Sequence, residues 1–275
     1  TIVYDGANGD ASSVGPEILS GLGAKVININ VNPDGLNINH HCGSTHIEGF
    51  QVAVQQHNAD LGIANDGDAD RCLLVDEKGQ VLDGDQIMLL CALKLKEEGK
   101  LKGDTIVGTV MSNIGFHKAA EELGMKTVST AVGDRYVLEY IREHNLSVGG
   151  EQSGHVIFLD HNTTGDGMLT AVQVAALVKE KGQPLSELAS IMTKYPQVLI
   201  NVRVATKTGW EENDIIKAAI VTAEGELGAE GRVLVRASGT EPLIRVMAEG
   251  PNLEELQSLC QEIADIIGRE QGLAD

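Results

Sequence analysis

Asp66-Gly67-Asp68-Ala69-Asp70-Arg71 places three carboxylates at alternate positions of a short loop and closes it with an arginine. In an extended loop alternate side chains point the same way, so Asp66, Asp68 and Asp70 converge on a hard divalent cation. Magnesium takes oxygen ligands in octahedral positions and commonly leaves some for water or a phosphoryl group. Arg71 either holds one carboxylate in place or reaches a phosphate. The competing readings are a solvated acidic turn and an EF-hand. Asp66, Asp68, Asp70 and Glu77 match EF-hand positions 1, 3, 5 and 12. However, the glycine needed at the sixth position is Arg71, and the flanks read as strands.

A second candidate is Arg236-Ala237-Ser238-Gly239-Thr240-Glu241-Pro242, followed by Arg245. Gly239 allows a positive φ, so backbone N–H groups can turn inward as an anion nest. Ser238 and Thr240 add hydroxyls, and Arg236 can grip a phosphate with two parallel bonds. A polar hairpin turn is the plain alternative. The third candidate is Gly149-Gly150-Glu151-Gln152-Ser153-Gly154-His155, beyond the carboxyl end of a strand, where α/β sheets bind ligands. Its Glu, Ser and His suit sugar hydroxyls, but a polar loop with a surface histidine reads equally well. In Val132-Gly133-Asp134-Arg135-Tyr136-Val137, Asp134 is expected to cap the following helix, with Arg135 in reach of a substrate phosphate. His40, His41 and His46 surround Cys42 without any standard metal-ligand spacing.

Alternating signals must position these loops. Strands are predicted at 1–5, 25–29, 61–65 and 71–75, with a turn at Glu77-Lys78-Gly79. Helices are predicted at 14–22, 47–57 and 84–99, the last with Ile87, Leu90, Cys91 and Leu95 on one face. After a linker at 100–104 the layout repeats. Strands at 105–110, 126–130, 147–150 and 156–159 alternate with helices at 114–123, 136–143 and 166–181. Such βαβ units imply mainly parallel sheets covered by helices. Beyond Tyr195-Pro196, strands at 198–204, 232–236 and 243–249 with helices at 211–225 and 253–269 suggest a small α+β domain. The expected division is 1–99 (α/β, metal loop), 100–195 (α/β, sugar loop) and 196–275 (α+β, phosphate loop).

The net charge of −19 argues against a nucleic-acid groove or an anionic membrane surface. A small anion is still compatible, because Arg71, Arg135, Arg236 and Arg245 all lie in or beside Gly/Asp/Ser-rich segments. The four cysteines form no CxxC pair, which argues against a disulfide framework or zinc site. Cys72, Cys91 and Cys260 read as core residues, and Cys42 as a loop exception. With no signal-peptide pattern and no apolar run long enough to span a bilayer, a cytoplasmic location is expected. Thr1-Ile2-Val3-Tyr4 opens directly as a strand without an initiator Met, as in a fragment.

Taken in order, these motifs resemble the α-D-phosphohexomutases over essentially the whole chain. Asp66–Arg71 resembles the family's metal loop, Gly150–His155 its sugar loop and Arg236–Pro242 its phosphate loop. Gly133-Asp134-Arg135-Tyr136-Val137 and Thr164-Gly165-Asp166-Gly167 resemble the phosphoglucosamine branch. The resemblance implies four domains around one cleft, the first absent here and carrying a phosphoserine in a Ser-His-Asn-Pro type loop. No such loop occurs in this sequence; Ser44-Thr45-His46 is not a match.

It also implies interconversion of glucosamine 6-phosphate and glucosamine 1-phosphate through a 1,6-bisphosphate, in amino-sugar metabolism ahead of the cell wall. Mg²⁺ would be held by Asp66, Asp68, Asp70 and the phosphoserine, with Arg71 beside them. Glu151 and Ser153 would hold sugar hydroxyls, and either His155 or a base from the absent domain would assist proton transfer. Gly133, Asp134 and Arg135 would line the substrate site. Arg236, Ser238, Gly239, Thr240 and Arg245 would grip the phosphate not being transferred. The partner is a small phosphosugar, not nucleic acid or membrane, and a homodimer of the full-length protein is compatible. By itself the 275-residue chain is expected to be inactive. The alternatives are a phosphomannomutase or phosphoglucomutase of the same family, or a noncatalytic sugar-phosphate binding module.

Overall fold

The structure, a computed structural model, describes residues 1–239 and 241–272. It divides into two compact units. One comprises Thr1–Ser112 with Phe116–Thr193; the other comprises Asn113–Gly115 with residues 194–272.

In the first half of the first unit, β1 (Ile2–Asp5), α1 (Val14–Gly21), β2 (Val26–Ile29), α2 (Glu48–Gln56), β3 (Leu61–Asn65), β4 (Cys72–Asp76) and β5 (Val81–Leu82) follow in turn. The sheet runs β2-β1-β3-β4-β5. β1 is parallel to β2 and β3, while β3-β4 and β4-β5 are antiparallel. β1 and β3 are buried along their whole length, as apolar runs covered on both faces must be.

Helix α3 (Gly84–Glu97) leads to β6 (Thr105–Thr109), α4 (Ile114–Glu122), β7 (Lys126–Thr130), α5 (Asp134–Glu143), β8 (Val148–Gly150), β9 (Val156–Phe158), α6 (Gly167–Lys181) and α7 (Leu185–Ala189). The second sheet, β7-β6-β8-β9, repeats the order and pairing senses of the first four strands of the first. Three differences from the sequence expectation stand out. The segment read as a linker contains a 3₁₀ turn at Lys102–Asp104, tied down through Ser147, whose hydroxyl donates to the Lys100 carbonyl and accepts from the Lys102 N–H. Helix α3 is not one-faced: Ile87, Met88, Leu89, Leu90, Cys91 and Ala92 are all buried. It packs against α6, β6 and β8 as well as β5 and α7, so apolar residues surround it. The short α7 was not expected.

The second unit contains β10 (Gln197–Arg203), α8 (Asp214–Leu227), β11 (Arg232–Ala237), β12 (Leu243–Glu249) and α9 (Leu253–Gln271). Its antiparallel sheet runs β10-β12-β11. α9 is amphipathic, burying Leu256, Leu259, Cys260, Ile263, Ala264 and Ile267 at helical spacing, and Asn252 caps it by accepting from the Glu254 and Glu255 N–H groups. At the end of β12, Glu249 is fully buried, where four groups donate to its carboxylate: Asn113 Nδ2, the Ile114 N–H, Gln197 Nε2 and Arg232 Nε. A buried carboxylate requires such pairing.

All four cysteines are free and buried. Cys42 is thus not the exception its loop suggested: it is 2% exposed. No helix among the described residues is long and apolar enough to cross a membrane.

Candidate active site

The aspartate loop joins β3 to β4, at the carboxyl end of β3. It is held from below by a buried polar network. Tyr4 on β1 donates to Asn65 Oδ1 (3.0 Å), and Asn65 Nδ2 donates to the Arg71 carbonyl (2.7 Å). The two ends of the loop are thereby fixed to each other and to β1. Ala69 takes a left-handed φ of 58°, a turn that an L-residue adopts at some cost and that brings the carboxylates round.

One carboxylate oxygen each of Asp66, Asp68 and Asp70 lies within 4.8 Å of the others. Asp66 is buried; Arg71 donates its N–H to Oδ1 (3.2 Å) and brings Nε to 3.7 Å from Oδ2. The same Nε is 3.8 Å from Asp70 Oδ1, yet it makes no hydrogen bond within the described residues. Burial first, then the Asp70 carboxylate, pushes the Asp66 carboxyl up to about 6, against the Arg71 N–H that lowers it. Three acidic groups around one imperfectly paired guanidinium form an oxygen donor set short of positive charge, and a hard divalent cation fits it. β3 and β4 flank the loop, which is the arrangement of a hairpin and not of an EF-hand.

Close backbone approaches bring the sugar loop onto this one. The Cys72 N–H donates to the Gly154 carbonyl (3.0 Å), the Gly167 N–H to Ala69 (2.9 Å) and the Gly84 N–H to Gln152 (2.9 Å). A Cβ on Gly167 would sit 2.2 Å from the Arg71 carbonyl, and one on Gly84 2.0 Å from the Glu151 carbonyl. These positions admit only glycine, which shows how tightly the two loops are pressed together. His155 is buried with Nε2 3.5 Å from Asp70 Oδ2 and 4.0 Å from Asp134 Oδ2. Its Nδ1 has no partner among the described residues. Glu151 Oε1 accepts from the Gly133 N–H (3.0 Å), tying the 132–135 loop to the sugar loop. Asp66, Asp68, Asp70, Arg71, Gly133, Asp134, Glu151 and His155 therefore form one neighbourhood within the first unit, at the carboxyl ends of β3, β7 and β8. Ser153 stands exposed in the same loop.

One expectation is corrected here. Asp134 does not cap the helix; it is the first residue of α5, Gly133 holds the cap position without a side-chain bond, and Asp134 faces His155 instead. Arg135 is exposed and pairs with Glu139 one turn along its own helix (2.7 Å). The histidine rings meet at steep angles (His40–His41 tilted, centroids 4.4 Å apart; His41–His46 edge to face, 5.5 Å), and among the described residues only the three aspartates converge as metal ligands.

The arginine loop lies in the second unit, between β11 and β12. Arg236 and Arg245 are directly opposed across the two strands, so their like charges share one face at an energetic cost. Burial and the neighbouring Arg245 push the Arg236 guanidinium down. Nε of each is buried without a partner among the described residues, while Arg245 Nη2 reaches Glu241 Oε2 (3.0 Å). Unpartnered buried donors on paired arginines are suited to accept an anion's oxygens. Ser238 is buried and its hydroxyl accepts from the Glu241 N–H (3.3 Å). Thr240 lies outside the described residues. Sequence reasoning missed Lys207, whose ammonium donates to the Ser238 (2.6 Å), Glu241 (3.1 Å) and Gly239 (3.4 Å) carbonyls; nothing local to Lys207 signals a loop some thirty residues on.

Comparison with known proteins agrees with this layout. Residues 1–79, 83–195 and 199–266 match, respectively, alpha/beta/alpha domain II, alpha/beta/alpha domain III and the C-terminal domain of phosphoglucomutase/phosphomannomutase. The phosphoglucosamine mutase of Symbiobacterium thermophilum is 56% identical over 98% of this chain and 60% of its own length. That of Bacillus subtilis is 52% identical over 99% of this chain and 61% of its own length. The chain thus spans about 60% of the length of these relatives. Among solved structures, Aspergillus fumigatus N-acetylphosphoglucosamine mutase superimposes with a TM-score of 0.83 at 22% identity, over 98% of this chain and 61% of that one. A second structure of that enzyme, in complex with GlcNAc-6P and magnesium, superimposes with a TM-score of 0.77 at 24% identity, over 97% and 65%. These likenesses bear on the fold. The three matched domains, in family order along nearly all of the sequence, place the chain in the phosphoglucomutase/phosphomannomutase family of α-D-phosphohexomutases.

Proposed function

We propose that the protein to which these residues belong interconverts glucosamine 6-phosphate and glucosamine 1-phosphate through a 1,6-bisphosphate. The observation that carries this reading is the aspartate loop locked against the sugar loop, in a chain more than half identical to proteins named phosphoglucosamine mutase. Asp66, Asp68 and Asp70 would hold Mg²⁺, the ion present in the Aspergillus neighbour. When bound, the ion neutralises charge that develops on a transferring phosphoryl group.

The chain's own residues do the remaining work. Arg71 braces Asp66 and Asp70 and keeps an unused Nε–H for a phosphate oxygen. Glu151, fixed by the Gly133 N–H, keeps its second oxygen for a sugar hydroxyl, and Ser153 adds a hydroxyl from the same loop. His155 sits between Asp70 and Asp134, where a proton leaving or joining a substrate hydroxyl can be held at Nε2. Arg236, Ser238, Gly239 and Arg245, with Thr240, bind the phosphate that is not transferred. The phosphoryl donor is the phosphoserine that the family resemblance assigns to a loop not found in this sequence. A substrate with two phosphate positions requires hydroxyl and phosphate contacts that accept either end, which favours separate sugar and phosphate loops over one enclosing pocket.

The test is calorimetric titration of the 275-residue chain with glucosamine 6-phosphate in magnesium, alone and with Glu151→Ala or Arg236→Ala. Saturable binding weakened by each substitution is expected. Absence of binding, or binding indifferent to both, overturns the reading.

A further inference from the structure

We propose that Lys207 is a positioning residue for the arginine loop: its ammonium gathers three loop carbonyls on one side, so that the loop turns the Gly239 N–H, with Arg236 and Arg245, toward a phosphate monoester. The inference rests on the phosphate-binding reading of that loop and adds the device that shapes it.

A five-residue connection between antiparallel strands has no inherent reason to aim its carbonyls at a single point. Here those of Ser238, Gly239 and Glu241 all accept from Lys207 Nζ, at 2.6, 3.4 and 3.1 Å. An ammonium carries three N–H donors, and all three are engaged, so Lys207 acts through the loop and not by contact with ligand. The peptide unit is planar and trans, so its carbonyl and its N–H point in opposite directions. With the Ser238 carbonyl drawn to Lys207, the Gly239 N–H faces away from it. Among the described residues, and apart from its own chain neighbours, no atom lies within 4 Å of the place a Gly239 Cβ would occupy. The hairpin is closed beneath by the Ser238 N–H donating to the Leu243 carbonyl (2.8 Å), and the Ser238 hydroxyl accepts from Glu241. Lys207 also puts a positive charge behind a loop that already carries two opposed arginines, in a chain of net charge −19.

The lysine is itself held. The Ala205 N–H donates to the Gly272 carbonyl (2.9 Å), and the Thr208 N–H to the Thr206 hydroxyl (3.4 Å). Turned to satisfy both groups, the amide of Gln271 donates to the Thr206 (3.0 Å) and Thr208 (3.3 Å) carbonyls. The end of α9 thus fixes the segment from which Lys207 reaches the loop.

The test titrates inorganic phosphate into the 275-residue chain by calorimetry, alongside Lys207→Met and Lys207→Arg. Methionine keeps a long apolar stem without the charge; arginine keeps the charge, but its planar fork cannot converge on three carbonyls. The expected result is a loss of about tenfold in phosphate affinity for Lys207→Met and of at least about threefold for Lys207→Arg, at temperatures where each variant melts as a folded chain. Affinity unchanged in Lys207→Met overturns the inference and leaves the phosphate reading standing. Full affinity in Lys207→Arg overturns it too, because charge alone then suffices. Absence of phosphate binding by the unsubstituted chain overturns the phosphate reading with it. Should Lys207→Met fail to fold, Lys207→Arg decides: weaker phosphate affinity supports the inference, and full affinity overturns it.

Discussion

Replacing Asp66 by asparagine is expected to stabilise the metal-free chain while abolishing its response to magnesium. Asp66 is buried among carboxylates, and its pKa moves from 3.8 to about 6. An acid whose folded pKa exceeds its unfolded one binds its proton better when folded. Its contribution is present below pH 3.8 and is lost as the pH rises through about 6. At about 1.4 kcal/mol per pH unit, ionising Asp66 in the metal-free fold costs about 3 kcal/mol by pH 7.5. Asparagine at 66 keeps an oxygen for the Arg71 N–H and carries no charge. The variant should therefore exceed the parent by about 3 kcal/mol at pH 7.5 in chelator and by only about 0.5 kcal/mol at pH 4. Magnesium should raise the parent's melting temperature and leave the variant's unchanged, because only the parent gains binding energy in the folded state. Paired denaturant melts of the first unit at both pH values, with chelator and with magnesium, make the measurement. An asparagine variant less stable than the parent at pH 7.5 without metal would refute the reasoning, since burial and the neighbouring carboxylate would then not be opposing the charge on Asp66.

Other consequences can be checked directly. Gly167→Ala forces a Cβ into the Arg71 carbonyl at 2.2 Å and should weaken magnesium binding at least about tenfold, as opening the loop by a few tenths of an ångström separates the ligands; calorimetry with magnesium alone reads it. Asn65→Ala leaves the Tyr4 hydroxyl and the Arg71 carbonyl without a bond to residue 65 and should cost about 2–4 kcal/mol in a denaturant melt. Arg236→Ala should weaken phosphate binding about 10- to 100-fold, the worth of a charge-assisted hydrogen bond. Burial pushes the thiols of Cys42, Cys72, Cys91 and Cys260 up, Cys91 to about 12 and Cys260 to about 11. A thiol reagent at pH 8 should therefore label the folded chain slowly and all four residues on denaturation.

Much of this arrangement is legible in the residues themselves. The aspartate loop is visible because its ligands are neighbours in sequence, and β3 and β4 around it read as apolar runs. The parallel pairs of both sheets follow from alternating strand and helix signals. What escaped the sequence depends on distance along the chain. Helix α3 shows a face by its spacing, yet its neighbours on every side come from segments that periodicity does not name. Asp134 precedes a helix and so looks like a cap; only the fold shows His155 opposite it. Glu249 sits in a strand signal that gives no hint of the four donors gathered around it. Lys207 is an ordinary lysine until the second unit folds and sets three carbonyls before it.

The central claim is tested most directly by assaying the full-length protein for conversion of glucosamine 1-phosphate to glucosamine 6-phosphate, beside glucose 1-phosphate and mannose 1-phosphate. The account predicts magnesium-dependent turnover fastest on the glucosamine ester and abolished by Asp68→Asn. Faster turnover of the glucose or mannose ester, or turnover untouched by chelator and by Asp68→Asn, would contradict it.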